Sequence, residues 1–206
     1  VTEASDVLQR FNRFSLGGSI ASSAPGKTQY AADAAFGYLS DRFDAKESKV
    51  DLSATGTFKL KEKKQLNTSF AYQLLSRQDA FVDAKPRNLV TASGSYAFEL
   101  IEKLTLEAGL TVAYENDTID KDVHVYPKAI ANYAISKKVS AQASLTGGMN
   151  SVSLHSLSNE NPWLAPNVAI HHTNEALMLA ASIKAVAAKN LEASAGMSVA
   201  SLKNLY

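Results

Sequence analysis

The stretch Leu104-Thr105-Leu106-Glu107-Ala108-Gly109-Leu110-Thr111-Val112-Ala113-Tyr114 decides the reading of this chain. Leu104, Leu106, Ala108, Leu110, Val112 and Tyr114 are apolar, while Thr105, Glu107, Gly109 and Thr111 between them are polar or small. A strand sends successive side chains to opposite faces, so the alternation gives one greasy side and one hydrophilic side. On a helix the same spacing would scatter the apolar residues around the 3.6-residue turn.

Working outward, the pattern recurs. Val50, Leu52, Ala54, Gly56, Phe58 and Leu60 oppose Asp51, Ser53, Thr55, Thr57 and Lys59. Leu66, Thr68, Phe70, Tyr72 and Leu74 oppose Asn67, Ser69, Ala71 and Gln73. Val90, Ala92, Gly94, Tyr96 and Phe98 oppose Thr91, Ser93, Ser95, Ala97 and Glu99, and Val139, Ala141, Ala143 and Leu145 oppose Ser140, Gln142, Ser144 and Thr146. Five further segments, roughly 13–22, 29–40, 123–135, 175–187 and 191–201, alternate likewise. Alanine's helix preference is weak, and tertiary context overrides it. The expectation is ten strands of about ten to thirteen residues, long for globular strands but suited to a tilted bilayer crossing of ~9–11 residues.

The connections alternate in length. Short ones are expected at Ala24–Lys27, Lys61–Lys64, Leu100–Lys103, Ser136–Lys138 and Ala188–Asn190. Longer polar ones are expected at Asp41–Ser48, Ser76–Arg87, Glu115–Asp122 and Ser151–Asn174. Short turns on one rim and long loops on the other are the habit of outer-membrane barrels. Tyr30, Phe58, Phe98 and Tyr133 near the short turns, and Tyr38, Tyr72 and Tyr114 near the long loops, read as two interfacial girdles or as ordinary strand aromatics. The first ten residues lack alternation and read as a loop or short helix leading in, with Ser5 or Asp6 available as a cap; residues 11–206 read as barrel.

Composition bounds the alternatives. The 206 residues suffice for one domain, and 21 basic against 20 acidic residues give no electrostatic case for nucleic acid. The absence of cysteine excludes disulfides and thiolate metal sites. No apolar run approaches the ~20 residues of a membrane helix, but alternating strands average to near-neutral hydropathy, so this does not weigh against a barrel. The polar face is rich in Ser, Thr, Gly and Ala with scattered Asp33, Asp51, Lys59, Glu99, Glu107, Lys184 and Glu192. Solvent-exposed strands of soluble proteins carry more Lys and Glu, so a wet lumen is favoured over a soluble lipocalin-like barrel or sandwich holding a hydrophobic ligand. Such small lumenal side chains would underfill a closed ten-strand barrel, which predicts further strands. Tyr206 suits a barrel's aromatic end, yet alternation dissolves over Ser201–Leu205, which points to a fragment.

The stretches AYENDTIDKDVHVY (113–126), VSLHSLSNENPWLAPNVAIHHTN (152–174), VDAKPRNL (82–89) and ASLKNLY (200–206) resemble a family of outer-membrane barrels of Bacteroidetes-type bacteria, described as TonB-dependent-receptor-like or uncharacterised. The resemblance runs loosely over most of the chain and rests on turn and loop signatures. It implies a barrel that continues past these residues, in the outer membrane of a Gram-negative bacterium. No TonB box or plug domain is seen in this segment.

All four histidines, His124, His155, His171 and His172, fall in the long-loop half beside Asp117, Asp120 and Asp122. Ser153 or Ser156 beside His155 can be cast as nucleophile and base of a rim-loop hydrolase, and His171-His172 with Asp120 or Asp122 as a metal site. Neither has diagnostic spacing, and adjacent histidines in extended chain point to opposite faces. Long polar loops collect such residues, so no catalytic residue, metal or cofactor is assigned. Trp163, the single tryptophan, lies between Pro162 and Pro166 and is a candidate for loop contact with a partner or ligand, or for the rim. The KEKK turn at Lys61–Lys64 reads as solvated.

The reading is an antiparallel up-and-down transmembrane β-barrel, with about ten strands visible, serving transport, channel or assembly. Leu52, Phe58, Phe70, Tyr72, Leu104, Leu106, Leu110, Val112 and Leu145 are expected to face lipid. Outer-membrane lipid is the expected partner, with room for other outer-membrane subunits and an unspecified small-molecule or nutrient ligand.

Overall fold

The computed structural model describes residues 9–24, 26–61, 63–117, 122–164, 167–188 and 190–205. Much of the lead-in, Asp120, Pro166 and Tyr206 lie outside the described residues. Ten strands form one sheet: β1 (Phe11–Ala21), β2 (Thr28–Asp41), β3 (Lys46–Lys59), β4 (Gln65–Asp79), β5 (Val82–Ile101), β6 (Leu104–Glu115), β7 (Val123–Ala134), β8 (Val139–Asn150), β9 (Thr173–Ala188) and β10 (Leu191–Lys203). One short helix, α1 (Leu154–Glu160), interrupts the β8–β9 connection. The strands are ordered as in the chain, every neighbouring pair antiparallel, which is an up-and-down wall. All ten expected strands are present. Among the described residues β1 pairs only with β2 and β10 only with β9, so the sheet has two free edges.

Register gathers the two faces as alternation requires. Leu52 lies opposite Tyr72, Tyr72 opposite Val90, and Val90 opposite Tyr114, a row of apolar residues crossing four strands. Three rows along, on the opposite face, Thr55 faces Ser69, Ser69 faces Ser93, and Ser93 faces Thr111. A one-residue slip would exchange these rows, so hydrophobic patterning fixes the register. The apolar face has no packed core: Leu110 is 56% exposed, and Leu52, Phe70 and Val112 are also exposed. The buried apolar cluster instead comprises Leu39, Ala45, Leu154 and Ile170, where the β8–β9 connection folds over one end of the polar face.

Two expected long loops are much shorter. The β2–β3 connection spans only residues 42–45, because one carboxylate oxygen of Asp41 accepts the N–H groups of Phe43 and Ala45, both at 2.8 Å, while Asp44 takes a left-handed φ of 66°. Between β4 and β5 only Ala80 and Phe81 remain. The charged stretch Ser76–Arg87 reads as solvated loop, yet it is strand: Arg77, Asp79 and Arg87 are paired and covered by the β8–β9 connection. Pro86 fits there as one of the ladder positions that give up a donor. At 20 residues β5 is roughly 65 Å long, beyond what a bilayer crossing needs.

Candidate functional site

The polar face carries charges in matched sets. Glu107 accepts from Lys128 Nζ at 2.8 Å, Ser95 Oγ at 2.5 Å and Asn67 Nδ2 at 3.3 Å, tying β4, β5, β6 and β7 together. Asp51 takes Lys49 at 3.1 Å and Gln73 at 2.6 Å, Asp33 takes Ser53 at 3.2 Å, and Lys184 meets Glu192 at 2.6 Å. At the short-turn end Lys63 pairs with Glu99 at 2.5 Å while staying largely exposed. Gly109 permits the tightest approach on this face: a Cβ there would lie 2.1 Å from the carbonyl oxygen of Gly94. Strands β5 and β6 close on each other at that point, which brings Ser95 to Glu107.

The site with the most structure lies at the opposite end. Residues 151–164 and 167–172 follow β8, turn inward and lie across the polar faces of β1 to β6. Glu47 of β3, 1% exposed, accepts the N–H groups of Leu154 at 2.8 Å and His155 at 2.9 Å, the first turn of α1. Its charge sits where a helix start presents unpaired N–H groups. Ser153 and Ser156 complete a capping box. Arg13 of β1 donates to the carbonyl and hydroxyl oxygens of Ser158 at 3.2 and 2.9 Å. Arg77 bonds both Asp79 and the Val168 carbonyl, and Asp79 accepts the Asn167 N–H at 3.0 Å.

At the centre, Arg87 holds Asp117 with both prongs of its guanidinium, Nε to Oδ1 at 2.5 Å and Nη2 to Oδ2 at 2.7 Å, and gives its third nitrogen to the Val152 carbonyl at 3.0 Å. Asp117 also accepts the His172 N–H at 2.6 Å. His172 Nδ1 accepts the Val152 N–H at 3.2 Å, which leaves Nε2 to carry the proton of the neutral ring. Burial, then the adjacent Arg87 charge, pushes the His172 pKa down to about 4, against the opposing pull of Asp117. Burial works to raise the carboxyl of Asp117, but the Arg87 hydrogen bonds and the nearby positive groups outweigh it and leave the pKa lowered. Beside this knot, Asn174 joins the Tyr126 hydroxyl at 3.0 Å to His124 Nδ1 at 3.4 Å, and His124 stacks on Tyr126.

Next to the knot is a cavity of about 260 Å³, whose walls include Arg77, Lys85, Arg87, Asn116, Val168 and Ile170. Sequence reasoning missed Glu47, Arg77, Asp79 and Arg87. The available signal was parity: Arg77 and Asp79 continue the same face as Gln73 and Leu75 through the stretch taken for a loop.

The expected candidates scatter. Ser153 Oγ and Ser156 Oγ are 3.2 Å apart and serve the helix cap, so neither is poised by His155. His171 lines the cavity while His172 enters the knot, and no group of three or more metal-ligating side chains occurs among the described residues. Trp163 lies just beyond α1, 68% exposed, its N–H bonded to Asn161 Oδ1 at 3.0 Å.

These features define an all-β up-and-down wall of the outer-membrane β-barrel type, with a polar face crossed at one end by an inward connection. No protein-family model matches the chain, and no curated protein matches it. Among solved structures it is similar to the siderophore receptor PirA from Pseudomonas aeruginosa, with TM-score 0.65 and 14% identity over 92% of this chain and 38% of that one. The chain therefore spans well under half of that receptor. It also aligns with the translocator domain of the autotransporter NalP from Neisseria meningitidis, with TM-score 0.39 and 14% identity over 97% of this chain and 77% of that domain. A third alignment is with the alcaligin outer membrane receptor FauA from Bordetella pertussis, with TM-score 0.41 and 12% identity over 95% of this chain and 44% of that one.

Proposed function

We propose that the chain is part of the wall of an outer-membrane transport barrel in a Gram-negative bacterium. Its apolar face lies against lipid, its polar face borders a watery passage, and residues 151–172 narrow the mouth. The observation that carries this reading is the disposition of the two faces. Leu52, Phe58, Phe70, Leu110 and Val112 stand exposed on one, an arrangement that costs heavily in water but suits hydrocarbon. Hydroxyls and paired charges occupy the other. Tyr72, Leu104, Leu106 and Leu145 belong to the same apolar side by register. The PirA fold favours a receptor-type barrel of which this is a portion, and the turn and loop motifs favour a Bacteroidetes-type, TonB-dependent-receptor-like origin. Transport without covalent chemistry is the role we infer, with lipid as the constant partner, a small molecule as cargo, and Trp163 as a contact at the mouth.

Cysteine scanning tests this directly, because the 206 residues contain none. Single Ser93→Cys and Leu110→Cys variants in proteoliposomes are treated with a charged maleimide. Ser93→Cys should react and Leu110→Cys should stay protected until detergent is added. Equal labelling of the two positions would overturn the assignment of faces.

A further inference from the structure

We propose that the rim cavity beside the Arg87–Asp117 knot binds a small organic carboxylate. This names a ligand class for the mouth of the barrel and rests on the transport reading for the cavity's place at a passage. The cavity chemistry is independent of that reading. Three cationic side chains, Arg77, Lys85 and Arg87, line it. Arg77 is matched by Asp79 and Arg87 by Asp117, each pair close and buried. Lys85 has no carboxylate partner among the described residues. Among the described residues the cavity therefore holds one positive charge without a matching carboxylate.

The backbone of the wall also lacks acceptors. Among the described residues, the N–H groups of Val168, Ala169 and Ile170 donate to no protein acceptor. A site with a surplus ammonium is matched by an anion's oxygens, since charge-assisted hydrogen bonds are the strong ones. Two features select a carboxylate among anions. The surplus is a single charge, which a carboxylate monoanion balances. The walls also offer Val168, Ala169 and Ile170, apolar surface suited to a short hydrocarbon body. The volume of about 260 Å³ limits the ligand to a few carbon atoms beyond the carboxylate.

The test uses the full-length protein in detergent micelles, with isobutyrate, its neutral amide and inorganic phosphate titrated separately by ligand-observed NMR. Isobutyrate should bind saturably and the amide should not. Lys85→Met, at an exposed position where folding is not at stake, should weaken isobutyrate at least about tenfold. Lys85→Arg should retain binding, and Ala169→Phe should lose it by filling the cavity with the charge intact. The proposal is overturned if no saturable binding is seen, if phosphate binds as tightly as isobutyrate, or if Lys85→Met changes nothing. Failure here with the expected cysteine labelling intact removes only the ligand class. Uniform labelling with isobutyrate still bound removes only the membrane assignment.

Discussion

Removing Arg87 should release the inward connection while leaving the sheet standing. In Arg87→Met the chain loses two bonds to Asp117 and one to the Val152 carbonyl, and the Asp117 carboxylate keeps the His172 N–H but loses its two-pronged guanidinium partner. The pair is deeply covered, with side chains 11% and 4% exposed. Breaking such a pair from one side costs about 3–5 kcal/mol, because the remaining charge is stranded. The barrel strands draw their ladder hydrogen bonds from elsewhere, so the loss should fall on docking of residues 151–172. Hydrogen exchange of that segment, corrected for intrinsic rates, should rise about a hundredfold or more, with β3 to β6 unchanged. A pH series adds an independent check. The docked His172 has its pKa held at about 4, below the ordinary 6.5, so the undocked segment takes up a proton that the docked one refuses. Wild-type protection should therefore be full above about pH 6.5 and fall as pH drops toward about 4, by about 3 kcal/mol at most. The lowered carboxyl of Asp117 contributes only below that window, because its docking energy is lost as it is protonated at pH under its ordinary 3.8. In Arg87→Met the His172 shift should shrink, flattening the slope between pH 6.5 and 4. Exchange within about threefold of wild type, or an unaltered pH slope, would refute the account of the knot.

Two other outcomes follow from the sheet. Leu110→Arg places a charge on the exposed apolar face near mid-strand and should destabilise the protein by about 2–4 kcal/mol in lipid vesicles, measured by urea titration; refolding into lipid as well as wild type would argue against lipid contact. Gly109→Val asks for a Cβ 2.1 Å from the Gly94 carbonyl oxygen, which lies on rigid backbone, so it should block folding of the β5–β6 pair, whereas Gly94→Ala, with nothing within 4 Å, should fold; equal yields of folded protein from both would contradict the close approach.

The strands were legible because period two is written into each one: Leu104 to Tyr114 can satisfy a half-apolar environment only when extended. The rim was not legible, and the reason is physical. Arg77, Asp79, Arg87 and Glu47 are charged, and a charge in a sequence reads as solvated unless its partner is visible. The contacts that cover them are distant in the chain: Glu47 caps a helix start 107 residues away, Arg87 reaches the Val152 carbonyl across 65, and the neighbouring Arg77–Asp79 pair is closed over by Val168 and Asn167, 91 and 88 residues on. Pro86 and the run from Ser76 then look like loop by composition. The same distance hides the function of the histidines. His172 looks like a ligand or base beside His171, but its ring is occupied by Val152 and its main chain by Asp117.

The inward connection has a consequence for assembly. Its anchors, Arg13, Glu47, Arg77, Arg87 and Asp117, all precede it in the chain, on β1, β3, β4, β5 and just after β6. Full docking needs those strands in place together. A shift of one residue in any of them would swing its anchor to the apolar face and leave the connection a missing tether. The connection can thus be fastened at every tether only when five separate pieces of the wall are in register.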